Sequence, residues 1–410
     1  MNSNQTNNRI LCAFMLACFS ALGPFTIDMY LPAFPDLMTF FGTSASIVQV
    51  SLTACILGLA AGQIIIGALS DVHGRRRPLL IAMIIFGIAS IGCAFAPNAI
   101  VFIVLRFIQG FAAAGGIVIS RAIVRDTFSG VELAKFFTLL MMIGNAAPLL
   151  APLAGSAVIT FTDWTGVFIF LGIFAIILVI ITTLKIKESL PKEKRVANDI
   201  AKMLINYKSL LTDRLFMGYA LPAGIMFSGI FAYVSGSSFI YQIIYGVSPE
   251  VFSLLFSLNG VSLIIGAQIA RIFTGRISNI RLIIIGMSLA LISSLIVLIT
   301  TIVIGPLYAL VIPLFLFMTS IGMVSPIFSA LALESQGHIA GSASALMGVM
   351  PFLLGSITSP LVGIAGENSS LPLGIILVTT CTLSLLVYIV LVRAGSSNLA
   401  TFDKKSSMHT

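Results

Sequence analysis

Two ionisable side chains stand inside long apolar runs of this chain. Asp28 lies in Gly23-Pro-Phe-Thr-Ile-Asp-Met-Tyr-Leu-Pro-Ala-Phe-Pro35 and is the carboxylate set well inside such a run. Arg106 lies in Leu105-Arg-Phe-Ile-Gln-Gly110 and is the cation so placed, with Gln109 on the same helical face three residues on. A charge in hydrocarbon is costly, so these groups face a cavity or a partner and mark ion or solute paths. An acid that alternates between charged and neutral there carries a proton, and a guanidinium brought up to it would serve as its counterion. Bond-making chemistry finds no support. His73, His338 and His409 fall in loops or the tail, and Cys12, Cys18, Cys55, Cys93 and Cys381 sit in apolar runs without metal or redox spacing. No phosphate-cradling glycine pattern occurs. No catalytic residue, metal or cofactor is expected, and any work done draws on a gradient.

Two further patterns position helices. Gly67-Ala-Leu-Ser-Asp-Val-His-Gly-Arg-Arg-Arg-Pro78 separates two apolar runs. Gly67 and Gly74 permit close helix approach and a tight turn. Asp71 ends a helix and can pair with a basic neighbour, while Arg75, Arg76 and Arg77 form a cationic step at a membrane face. In Gly144-Asn-Ala-Ala-Pro-Leu-Leu-Ala-Pro-Leu-Ala-Gly155, Pro148 and Pro152 stand at i, i+4 and bend the helix, and small residues such as Gly155 allow close packing. Farther on, Phe227 and Phe231 share a face, with Tyr233, Phe239 and Tyr241 beyond them. They line a pocket or meet lipid and neighbouring helices.

The elements that must hold these residues are membrane helices. The chain is 58% hydrophobic and 9% charged, against about 25% charged residues in a soluble protein. A crossing helix needs about 20 apolar residues. Twelve runs qualify, over 10–32, 45–69, 79–97, 99–120, 137–160, 165–185, 215–238, 251–271, 281–303, 306–330, 341–362 and 371–392. The first is read as an uncleaved span. The net charge of +8 does not point to nucleic acid, because of where the charge sits. Of the 22 Lys and Arg, all but Arg106 fall in the N-terminal segment, in even-numbered loops and their helix ends, or in the tail. The odd-numbered loops hold only Asp36, Asp163, Glu250 and Glu367. Positive charge stays inside, so both termini are expected in the cytoplasm. The longest connection holds Lys185, Lys187, Lys192, Lys194, Arg195, Lys202 and Lys208. It divides the chain into a six-helix bundle at 1–185, a basic linker at 186–213, a second bundle at 214–393 and a tail at 394–410. Ile200, Met203, Leu204 and Tyr207 recur at helical spacing, as in an amphipathic helix on the inner leaflet. Gly266, Arg271, Gly275 and Arg276 after the eighth run look like a worn copy of the Gly67–Arg76 pattern without its Asp, in keeping with an internal repeat.

The Gly67–Pro78 loop resembles the Gly-x-Leu-x-Asp-x-x-Gly-Arg-Arg loop between spans two and three of the major facilitator superfamily. Gly67, Leu69, Asp71, Gly74, Arg75 and Arg76 match, and Val72 replaces a basic residue usual there. Arg106, Gln109 and Gly110 resemble the family's Arg-x-x-Gln-Gly motif, whose Arg is associated with proton coupling. Pro152 and Gly155 match the span-5 antiporter motif, from which Ala151 and Ser156 depart. Asp-Met-Tyr-Leu-Pro is similar to the span-1 signature of the Bcr/CflA branch, the bicyclomycin and chloramphenicol resistance exporters. The resemblance implies an all-α polytopic membrane protein of the major facilitator fold, two six-helix bundles around a central cavity. It further implies export of drug-like compounds in exchange for protons, with Asp28 and Arg106 in the coupling. The expected setting is the cell membrane, as a monomer in the lipid bilayer, with no enzyme activity. A carrier of a sugar or another metabolite fits the same topology.

Overall fold

In a computed structural model, residues 3–195, 200–334, 336 and 339–393 are described. The tail at 394–410, with His409, and His338 lie outside the described residues, as do the side chains of Ile200, Lys202, Met203 and Leu204. The described residues form no β-strand. Their helices are α1 (Ser3–Asp28), α2 (Phe34–Phe41), α3 (Ala45–His73), α4 (Arg76–Ala94), α5 (Ala99–Thr127), α6 (Gly130–Phe161) and α7 (Trp164–Leu184), then α8 (Ile200–Thr212), α9 (Arg214–Phe239), α10 (Pro249–Phe273), α11 (Asn279–Val303), α12 (Leu307–Glu334), α13 (Ala340–Leu361) and α14 (Leu371–Tyr388). Eleven segments of the described chain are long and apolar enough to cross a membrane. α6, with 32 residues and an apolar stretch at Ala146–Phe161, supplies a further crossing. The protein is an all-α, multi-pass membrane protein.

Two boundaries differ from expectation. The first span does not end at 32. It breaks after Asp28, passes through a 3₁₀ turn at Leu31–Ala33 and resumes as α2, so the apolar segment extends to Phe41. Asp28 therefore stands at the break itself, with the 3₁₀ turn and α2 still to follow before the segment ends. Asp36 lies in the first turn of α2, not in a loop, where the positive end of the helix dipole accommodates an acid. Similarly, α5 continues past 120, which puts Arg121 and Arg125 on its last turns, exposed, rather than in a connection.

The chain folds into two compact units. One comprises Met1–Asn198, Val234–Gly260 and Ser359–Ser370, so it includes the ends of α9 and α13 and the start of α10. Inside it α3 and α5 touch backbone to backbone. A Cβ on Gly58 would overlap the Phe107 carbonyl oxygen, and one on Gly110 that of Cys55. The other unit comprises Asp199–Tyr233, Val261–Thr358 and Leu371–Thr410. There α10 and α12 repeat the arrangement, with Gly266 against Thr319 O and Gly322 against Leu263 O. Gly74 and Gly275 also match, with φ of 88° and 86°. The internal repeat is thus present in the packing. α8 docks on the second unit through Tyr207 and Leu210, beside Phe216 and Met350.

Candidate functional site

Span 1 breaks because Pro32 has no N–H to offer the Asp28 carbonyl four residues back. Met29 N–H still reaches Phe25 O at 3.2 Å, and the next bond of the turn is Ala33 N–H to Tyr30 O at 3.0 Å. The Thr26 carbonyl is taken instead by Arg106, whose Nη2 donates to it at 2.7 Å. Arg106 is fully buried. Its Nη1 donates to Gln109 Oε1, and Gln109 Nε2 donates onward to Ser90 Oγ on α4 at 2.8 Å. The guanidinium carbon lies 4.1 Å from the centroid of the Tyr30 ring and 5.6 Å from that of Phe168. Rings and carbonyls, not a carboxylate, surround this cation, and aromatic faces attract a desolvated charge. Among the described residues its Nε has no hydrogen-bond partner.

Asp28 and Arg106 do not meet. Thr26 and Tyr30, four residues apart, share the face of span 1 that meets Arg106. Asp28 is two residues from each, ~200° around the helix, and so lies on the far face. Its side chain is buried, with 5% exposure, and makes no hydrogen bond or ion pair among the described residues. Arg75 and Arg195 form ion pairs with Asp71, Asp126 and Glu188, not with Asp28. The expected counterion role of Arg106 is therefore absent from this arrangement, which leaves Asp28 an isolated acid at a helix break.

The far end of the same unit, beside the odd-numbered loops, is closed by neutral groups. Gln49 Nε2 on α3 donates to Ser235 O at 3.2 Å, Ser46 Oγ to Gly363 O at 2.6 Å, and Thr53 Oγ1 to Ser359 Oγ at 3.2 Å. Phe34 packs on Phe239 with ring centroids 5.5 Å apart. Ser253 and Ser257 on α10 donate to Pro152 O and Leu149 O of the proline-bent α6 at 3.0 and 2.7 Å. Gly155 is where α6 meets span 1, since a Cβ there would overlap Met29 O. Pro148, Pro152 and Gly155 thus shape a packing surface. The aromatic residues of α9 pack against protein too: Phe231 lies 5.4 Å from the Phe352 ring, and Tyr233, Phe239 and Tyr241 are buried.

At the opposite end, beside the even-numbered loops, the groups are charged. Arg75 pairs with Asp71, as its spacing suggests, with Nη1 to Oδ1 at 2.5 Å. It also donates from Nη1 to Ser70 Oγ at 2.9 Å and from Nε to Asp126 Oδ2 at 2.8 Å. Glu188 completes the cluster, accepting Arg75 N–H at 2.7 Å and Arg76 N–H at 3.3 Å at the start of α4. Burial acts to raise the Glu188 pKa, but the N–H groups of Arg75, Leu190 and Arg76 and the nearby Arg195 charge outweigh it and leave it lowered. Gly74 fits this site because a Cβ would overlap the Glu188 carboxylate. Gly67 lies against Val118, Leu69 is exposed, and Arg76 donates to Thr183 O at 2.7 Å. Sequence reasoning missed Asp126 and Glu188. The available signal was two acids placed among basic loop ends on one face of the membrane.

A family model described as Major Facilitator Superfamily matches residues 13–360. The chain is 48% identical over 382 residues to the "Uncharacterized MFS-type transporter YdgK" of Bacillus subtilis (strain 168), covering 93% of this chain and 95% of that one. It is 27% identical over 385 residues to the "Bicyclomycin resistance protein homolog" of Haemophilus influenzae, covering 94% and 97%. Among solved structures, a bacterial homolog of the human lysosomal transporter Spinster superposes with a TM-score of 0.77 at 14% identity, covering 94% and 97%.

Proposed function

The chain belongs to the major facilitator superfamily, and on that premise we propose that it exports drug-like small molecules in exchange for protons by alternating access. The substrate class is supported by the relative named for bicyclomycin resistance and by the Asp-Met-Tyr-Leu-Pro string of span 1. The observation that carries the coupling is Asp28: a buried, unpaired carboxyl inside an apolar span, at a break in its helix. A lone acid in hydrocarbon is stable when neutral, and exposure to water on one face lets it release its proton. Opening alternately to the two faces makes it a carrier. Arg106 acts on it through the backbone. By holding Thr26 O, it fixes the break and so the position of Asp28 on the opposite face. The charge distribution supports cytoplasmic termini and even-numbered loops, in the cell membrane, and the family resemblance supports the monomer as the working unit.

The test is drug-induced proton release from inverted membrane vesicles. Asp28→Asn should abolish it while drug binding persists. Arg106→Ala should stop transport, and Arg106→Lys should rescue it poorly, because one ammonium cannot reach Gln109 and Thr26 while lying flat on Tyr30. Full proton-coupled export by Asp28→Asn would overturn the assignment. Growth of a deletion strain on a drug panel, set against growth on single carbon sources, separates drug export from metabolite transport.

A further inference from the structure

α9 does not finish as an α-helix. Ile240–Ile244 wind as a π-helix, with Tyr245 N–H on Ile240 O at 3.1 Å. π turns are rare and occur often at functional sites. This one carries Gln242, whose Nε2 donates to Ser238 Oγ at 2.7 Å and to Pro32 O at 3.1 Å. Pro32 is the residue that breaks span 1, four positions past Asp28. The broken span is therefore gripped from three helices: Arg106 of α5 on Thr26 O, Gly155 of α6 against Met29 O, and Gln242 on Pro32 O. The first two belong to the helices before the linker. Gln242 comes from beyond it.

We propose that Gln242 is a positioning residue that latches the span-1 break to the end of span 7, holding the carrier closed at the end beside the odd-numbered loops. The latch is continuous with the Phe34–Phe239 contact and the Gln49 and Ser46 bonds of that end. The amide suits the role because it donates two protons at once, one to keep its own rotamer through Ser238 and one to the break. Any movement of span 1 that carries Asp28 toward water on this side must release Pro32 O from Gln242. The inference rests on the alternating-access reading, and its test requires neither drug nor proton movement.

In a cysteine-free background, Thr53→Cys puts a thiol among these contacts in place of the hydroxyl bonded to Ser359, at a position only 8% exposed. A membrane-impermeant maleimide is added from the side of the odd-numbered loops to intact cells. The unaltered latch should label slowly. Gln242→Leu should label roughly fivefold faster, the effect of losing one neutral hydrogen bond. Gln242→Glu should label fast at pH 8 and more slowly at pH 4, below the ordinary glutamate value of about 4.3, each relative to unaltered Gln242 at the same pH, because only the protonated carboxyl donates to Pro32 O. This second variant is its own folding control. Equal labelling of Gln242→Leu and the unaltered latch, or no pH effect in Gln242→Glu, would overturn the latch whatever Asp28→Asn does in the vesicle assay.

Discussion

Arg75 divides its guanidinium between two acids of unequal exposure, and this sets a measurable order. The Arg75 side chain is 3% exposed, Asp126 12% and Asp71 42%. A charge-assisted hydrogen bond shielded from water contributes about 1.5–3 kcal/mol, whereas an ion pair with an exposed partner contributes about 0.2–1 kcal/mol. The Arg75–Asp126 coupling should therefore be about 2 kcal/mol, or about 30-fold in an equilibrium constant. The Arg75–Asp71 coupling should be below about 1 kcal/mol, or at most about fivefold. Two double-mutant cycles measure them, Arg75→Gln with Asp126→Asn and Arg75→Gln with Asp71→Asn, by denaturant unfolding of the purified protein in mixed micelles. A coupling to Asp71 equal to or larger than that to Asp126 would refute this use of exposure to rank the partners.

Other outcomes follow from the same geometry. Asp71→Asn should slow transport of every substrate alike, since it lies at the charged end far from Asp28, and selective loss of one substrate would contradict this. The lowered Glu188 pKa means that its docked carboxylate stabilises the linker start above the ordinary glutamate range, and that this is lost as pH falls through the lowered value. Amide exchange across 186–195 should accelerate in acid relative to Glu188→Gln, which has no such step. Gly155→Val should destabilise the protein by about 1–3 kcal/mol, because α6 can no longer reach Met29 O; thermal unfolding at the wild-type temperature would count against the close approach. A reporter active only outside the membrane should stay silent when fused to the C-terminus and give signal in the loop before Ala45.

The spans were legible because crossing a membrane imposes a length and an apolar composition that the chain displays openly. Span 1 was the exception, since its apolar run was ended at 32, whereas the helix restarts at Phe34. The motif residues were also legible one by one. Their partners were not: Arg75 meets Asp126 from 51 positions away and Glu188 from 113, distances over which local spacing carries no information. Asp28 and Arg106 were visible as charges in hydrocarbon, but whether they face each other depends on the rotation of span 1, fixed by the Thr26 and Tyr30 contacts. The π turn at Gln242 leaves no mark beyond a serine and a glutamine four residues apart.

The two ends of the first unit differ in the kind of bond that closes them, and this has an electrical consequence. Among the described residues, the contacts at the Gln242 end join amides, hydroxyls and carbonyls, so their opening transfers no formal charge through the membrane field. Voltage does work of ~2.3 kcal/mol per elementary charge per 100 mV, and under the proposed exchange it acts on the proton at Asp28 and on any charge the drug bears. Exchange of one proton for a neutral drug would then pass current, exchange for a monovalent cation would be electrically silent, and the gating step itself would be flat with membrane potential.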